Sequence, residues 1–137
     1  MSRILASLHR LRVHARRESD QTVRRAELEH RTQEVRVAEV RDGIVRARAA
    51  VEETDVAALA HYHQFRLKEE MSERRETARL AQKARDLEAA TRAHHRNVRD
   101  ELSIQNVIEE QAQRAAEDEK RSEMRDMDEI ASRRGLA

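Results

Sequence analysis

The 137-residue chain has no cysteine, no proline and no tryptophan, and it carries only two glycines, one tyrosine and one phenylalanine. Without cysteine there is no disulfide framework, no thiolate nucleophile and no thiolate metal ligand, and redox compartment is left open. Without proline, and with glycine only at Gly43 and Gly135, almost nothing in the chain interrupts a helix. The shortage of aromatics and large aliphatics excludes a thick globular core: 38% of residues are apolar, many of them alanine. Long hydrophobic runs are missing too. No stretch approaches the roughly 20 apolar residues that span a bilayer, and no signal-peptide core is visible.

What is present is charge, at 40% of residues, with a mean hydropathy of -0.97. Such a composition also suits a disordered chain. Against disorder stand the near absence of breakers and the dominance of Ala, Arg, Glu, Leu and Gln, all good helix formers. Composition therefore predicts an all-α protein in which helices share a thin seam. The two signs of charge nearly cancel, leaving a formal net charge of +1. With no overall basic excess and almost no stacking aromatics, no nucleic-acid partner is expected. Lysine occupies only positions 68, 83 and 120, so 25 of the 28 basic residues are arginine. Genomic bias explains this most simply; many bidentate carboxylate contacts are the functional alternative.

Helical periodicity predicts two helices, one over about 3–51 and a second over about 56–134, joined by a turn at about 52–55 in a single coiled-coil unit. Along the first, Ile4, Leu8, Leu11 and Ala15 step by four and three. A weaker middle follows at Ser19, Thr22, Ala26, His30 and Gln33, and the stripe recovers at Val37, Val40, Ile44, Ala47 and Val51. The eleven-residue spacing of Ile4, Ala15, Ala26 and Val37 predicts a nearly straight seam. Thr54 or Asp55 supplies an N-cap for the second helix. The rival is one uninterrupted rod of roughly 200 Å. In the second helix Leu67 and Met71 lead into a stripe of Leu80, Ala84, Leu87, Thr91, His94, Val98, Leu102, Gln105, Ile108, Ala112 and Ala115, with Gly135 as a stop. Folding back about residue 54 predicts an unequal antiparallel coiled-coil hairpin with Ile4 near Ile104 and Leu11 near Val98. Residues beyond about 105 then form a lone helix of roughly 45 Å. Such a helix gains little from propensity alone and awaits a partner, a second copy being the simplest.

No catalytic constellation, phosphate loop or metal motif is apparent, and a two-helix seam offers no dry pocket in which to tune an acid or base. The chain is expected to be no enzyme and to hold no cofactor, no metal and no small-molecule substrate. His61 and His63, two apart, and the adjacent His94 and His95 diverge on a helix, whereas a zinc pair needs i, i+4 spacing. Glu69 and Glu73 form a like-charge i, i+4 pair of mildly destabilising sign. The opening stretch, MSRILASLHRLRVHARR, has no acid before Glu18. It reads as an ordinary amphipathic helix start; a transit peptide or membrane-surface helix has the same composition. Its arginines oppose the helix dipole by tenths of a kcal/mol, which an acidic partner would relieve.

Two stretches resemble the family of the flagellar type III export protein FliJ. HYHQFRLKEE, residues 61–70, matches an aromatic segment of the kind Y-x-x-[FY] that follows the turn in that family. EDEKRSEMRDMDEIASRRG, residues 117–135, is similar to its charged tail ending in [ML]-D-E-[LIF]-A-x-[RQ]-R, here Met127, Asp128, Glu129, Ile130, Ala131, Arg133 and Arg134. The first helix also begins as in that family, with Leu8, Leu11 and a basic run, whereas residues 35–48 match nothing diagnostic. The resemblance implies a non-enzymatic, cytoplasmic stalk peripheral to the inner membrane. It implies that the helix ends insert into the hexameric export ATPase ring through Leu8, Leu11, Arg125, Met127, Asp128, Glu129, Ile130, Arg133 and Arg134, with Asp126 beside them. It further implies a contact with the membrane export gate near Tyr62 and Phe65, and an exchange of free substrate chaperones. The equivalent stalk of a virulence injectisome and a generic dimeric scaffold are the alternatives. By the expected register Tyr62 and Phe65 sit opposite Gly43 and Ile44, where a small residue makes room for a ring; the alternative is an exposed aromatic anchor.

Overall fold

The computed structural model describes residues 2–51 and 56–135, with Val51 and residues 56–58 as backbone alone. The expected turn at 52–55, with its capping Thr54 or Asp55, lies outside the described residues, as do Leu136 and Ala137. Two helices account for almost everything described: α1 is Arg3–Val51, 49 residues, and α2 is Val56–Gly135, 80 residues. No strand occurs among the described residues. The all-α pairing of two long, unequal helices is thus as expected. Ser2 starts α1: its hydroxyl accepts a hydrogen bond from the Ile4 amide at 3.2 Å, satisfying one of the free donors of the first turn.

Contacts divide the chain into two compact units, one of Met1–Arg17 with Arg96–Ala137 and the other Glu18–His95. In the second unit, the α1 residues turned inward are Ser19, Val23, Ala26, His30, Gln33, Val37, Val40, Ile44 and Ala47. They alternate steps of four and three without a break. The facing line on α2 is Glu69, Glu73, Glu76, Leu80, Lys83, Leu87, Ala90 and His94, with the same alternation. This is a heptad seam, and it replaces the eleven-residue, nearly straight seam expected from the spacing of Ile4, Ala15, Ala26 and Val37. The apolar residues Leu67, Met71 and Ala84, expected in the α2 stripe, are exposed, as is Thr22 on α1.

The seam is polar. Val37 is the only buried hydrophobic residue described; Ser19, Gln33 and Glu101 are the other buried ones. The buried polar groups are answered across the helices. The Ser19 hydroxyl lies 2.8 Å from His94 Nδ1. Gln33 Nε2 donates to the Glu76 backbone carbonyl at 3.0 Å and to its carboxylate at 2.5 Å. Arg41 meets Glu73 at 3.2 Å and Lys83 meets Glu29 at 3.0 Å. Partner numbers on α2 fall as those on α1 rise, so the segments run antiparallel. Glu73, half of the unfavourable Glu69 pair, finds its cation on the opposite helix. Buried polar groups are tolerable only when paired, and these pairs fix the register more narrowly than apolar contact would.

The Gln33 bond has a signature in acid. It holds the Glu76 carboxyl below the usual carboxylate range, helped by the charges of Arg79, Arg36 and Arg75 and opposed by burial. A depressed carboxyl contributes stability that is present above its unfolded value and is lost as pH falls through the folded one. Urea midpoints measured from pH 6 to pH 3 are therefore expected to fall more steeply for the wild type than for Gln33→Leu. Parallel curves would mean that the bond carries no linkage.

Candidate docking surfaces

In the first unit the inward line of α1 is Leu5, His9, Arg12 and Arg16, and that of α2 is Asn97, Glu101, Ile104 and Ile108. Arg12 pairs with Asp100 at 3.2 Å, Arg16 with the buried Glu101, and Asn97 Nδ2 donates to the Ala15 carbonyl at 3.3 Å. Ser2 borders a hollow with Ile108, Gln111, Ala112 and Ala115. Two expectations are corrected here. Ile4, Leu8 and Leu11 are not seam residues: Ile4 is 73% and Leu11 64% exposed, and Leu8 is exposed too, like Leu102 on α2. The register also differs, since α1 lies about three residues further along α2 than the placement of Ile4 beside Ile104 and Leu11 beside Val98 required. The cause is common to both. Arg12 and Arg16 find carboxylates on α2 only when α1 turns them inward, which rotates the neighbouring leucines outward.

Two arginines of the basic start are thereby spent within the unit. Arg3, Arg10 and Arg17 stay on the outside of α1, with exposed Ile4 and Leu11 beside them. Beyond Ile108 every described residue of α2 is exposed. The free stretch therefore begins at about 109 instead of 105. It carries all the tail residues singled out in the sequence: Arg125, Met127, Asp128, Glu129, Ile130, Arg133 and Arg134. Their side chains are free to meet a partner, and Leu8 and Leu11 near the other chain end are exposed in the same unit.

In the second unit Tyr62 falls on the heptad line that continues through Glu69 and Glu73, and it is half-buried, its ring 6.5 Å from that of His63. Phe65 lies off that line and is 42% exposed. Gly43 makes no socket for either ring, because a Cβ placed on it would meet nothing within 4 Å. Around Phe65, Leu59, Leu67 and Met71 are also exposed.

Among the described residues no group of three or more metal-binding side chains comes together, and no helix is long and apolar enough to cross a membrane. Comparison with protein-family models, curated proteins and solved structures finds no match.

The cross-helix pairs Arg12–Asp100, Arg16–Glu101, Ser19–His94 and Gln33–Glu76 leave no mark in apolar periodicity. The strict four-three spacing of Arg12, Arg16, Ser19, Val23, Ala26, His30, Gln33 and Val37 was the available signal. From Ser19 to Val37 it coincides with the expected stripe except that Val23 takes the place of Thr22; Arg12 and Arg16 are hidden by hydropathy because they are charged.

Proposed function

We propose that this protein is a non-enzymatic stalk of flagellar type III protein export, which binds inside the export ATPase hexamer, contacts the export gate and exchanges substrate chaperones. The observation that carries the reading is the free stretch from Glu109 to Gly135, exposed throughout. Its end has the sequence MDEIASRR, the part of the chain most similar to the FliJ tail. A helix that buries nothing of its own gains little stability alone, and a ring lumen is a surface able to cover it on all sides. Met127 and Ile130 supply the apolar contact. Asp128, Glu129, Arg125, Arg133 and Arg134 supply charges of both signs, and Leu8 and Leu11 add an apolar edge near the α1 start. The stalk acts in the cytoplasm at the base of the export apparatus.

The test is the hydrolysis rate of the export ATPase from the same genome, followed against added protein together with the ATPase's oligomeric state. Stimulation with hexamer formation is expected. No effect on an ATPase that another stalk activates would leave the shared tail as coiled-coil composition only, and a scaffold would then be the better reading.

The gate contact falls on Phe65. Its exposed ring anchors the partner while Tyr62 packs toward the seam, consistent with the tendency of aromatics to concentrate binding energy. Phe65→Ala is expected to weaken binding to the cytoplasmic part of the gate by about tenfold or more and to leave the thermal midpoint within roughly 2 °C. A large drop in that midpoint would instead make Phe65 a packing residue.

A further inference from the structure

The first unit carries two surfaces of opposite chemistry that cannot meet within one copy. On the outer side of α1, Arg3, Arg10 and Arg17 recur every seven residues, all on the outside, and none of the three has an ion-pair partner among the described residues. Ile4 and Leu11 follow the arginines at positions 3 and 10 and are the most exposed apolar residues of this helix segment. This is the layout of a coiled-coil edge, in which an apolar position is flanked by a charge once per heptad. On α2, residues 109–131 hold nine carboxylates against four basic residues. Glu119 and Asp126 are again seven apart, each one residue before Lys120 and Met127 respectively, and Met127 and Ile130 supply apolar side chains three residues apart.

The seven-residue spacing amounts to about 10.5 Å along either helix, so a helix bearing Glu119 and Asp126 can match two successive arginines at once. The match is unavailable in cis. Ser2 already lies beside Ile108, Gln111, Ala112 and Ala115, so Asp126 sits well beyond the start of α1, by about 20 Å of helix. Only another copy can bring the acidic stretch to the arginine edge.

We propose that the chain associates with itself by this route: the acidic stretch of one copy docks along the arginine edge of a second copy, Asp126 at Arg10 and Glu119 at Arg17, which sets Met127 near the exposed Leu8 and Ile130 near Ile4. Running antiparallel, the two helices put the arginine edge and the acidic edge on the same flank of the contact. The inference stands on the chain alone and does not depend on the export reading. If both hold, self-association covers the surfaces offered to an ATPase ring and competes with it.

Sedimentation velocity on the full chain tests the proposal without any ATPase. At about 20 mM salt, where screening extends over tens of ångströms, the mass is expected to exceed the 16.0 kDa of one copy, and at about 1 M salt, where it falls to a few ångströms, to return to it. The triple variant Arg3→Glu, Arg10→Glu, Arg17→Glu and the double variant Glu119→Arg, Asp126→Arg should each stay at one copy in low salt. Mixed together they should associate again, because each supplies the charge the other lacks. All substituted residues lie outside the seam, and an unchanged helical circular dichroism signal confirms folding. A wild type that remains at 16.0 kDa in low salt, or variants that associate as the wild type does, would overturn the proposal.

Discussion

A chain ending at residue 119 is expected to leave the export ATPase at its basal rate, while unfolding within roughly 2 °C of the full-length protein. The two halves of this result come from the same feature. Every described residue after Ile108 is exposed, so deleting residues 120–137 removes no seam contact and no cross-helix ion pair among the described residues. Its own helical stability is local and small, because nucleation is costly and propagation adds only marginally per residue. The deleted segment nonetheless holds all the charges assigned to the ring and two of its four apolar residues, Met127 and Ile130. Stimulation should therefore vanish in one step. Full stimulation by the shortened chain would sink the insertion model, and a large fall in stability would mean that the segment packs on something within the protein.

The largest expected loss of stability belongs to Val37→Asp. Val37 is 4% exposed and is the one buried hydrophobic residue among those described. It stands one turn from Gln33, whose partner is Glu76, and one turn from Arg41, whose partner is Glu73. A carboxylate introduced there meets two existing carboxylates from α2 and leaves water to do so. Burial of an uncompensated charge and like-charge repulsion act in the same direction. A loss of about 3 kcal/mol is expected in urea unfolding followed by circular dichroism, against about 1 kcal/mol for Val37→Ala. Equal losses for the two variants would show that the introduced carboxylate reaches solvent and that this part of the seam is open.

The fold class was legible because it depends on what is missing: without breakers, aromatics or long apolar runs, the helix is the one regular structure open to this chain. Seam positions such as Ala26, Val37, Ile44, Leu80 and Leu87 were legible because they are apolar and regularly spaced. The N-terminal seam was not. Ile4, Leu8 and Leu11 have the right spacing and the right hydropathy, but they compete with Arg12 and Arg16 for the inward side of the same turns. The arginines prevail because Asp100 and Glu101 offer charged partners across the seam, one of them buried. Hydropathy ranks an arginine last among core candidates and has no knowledge of the carboxylate on the other helix. The docking residues were legible to different degrees. The tail is exposed because no helix lies opposite it, which the unequal helix lengths already implied. The contrast between half-buried Tyr62 and exposed Phe65 turns on the heptad phase, which only the polar line through Glu69, Glu73 and Glu76 reveals.

That polar line bears on how the protein carries mechanical load. Two helices joined by smooth apolar surfaces can creep past one another, because a shift of one heptad restores much the same contact. Here a shift of seven residues would take Gln33 from Glu76 to Lys83 or Glu69, and in one of the two directions would bring Ser19 from His94 to Leu87. Each such step breaks the hydrogen bonds and ion pairs of the second unit together, and in either direction it takes Arg41 from Glu73 to a residue with no carboxylate, Arg66 or Leu80. The seam behaves as a toothed rack: thin in cross-section and low in buried apolar area, yet resistant to sliding along its length.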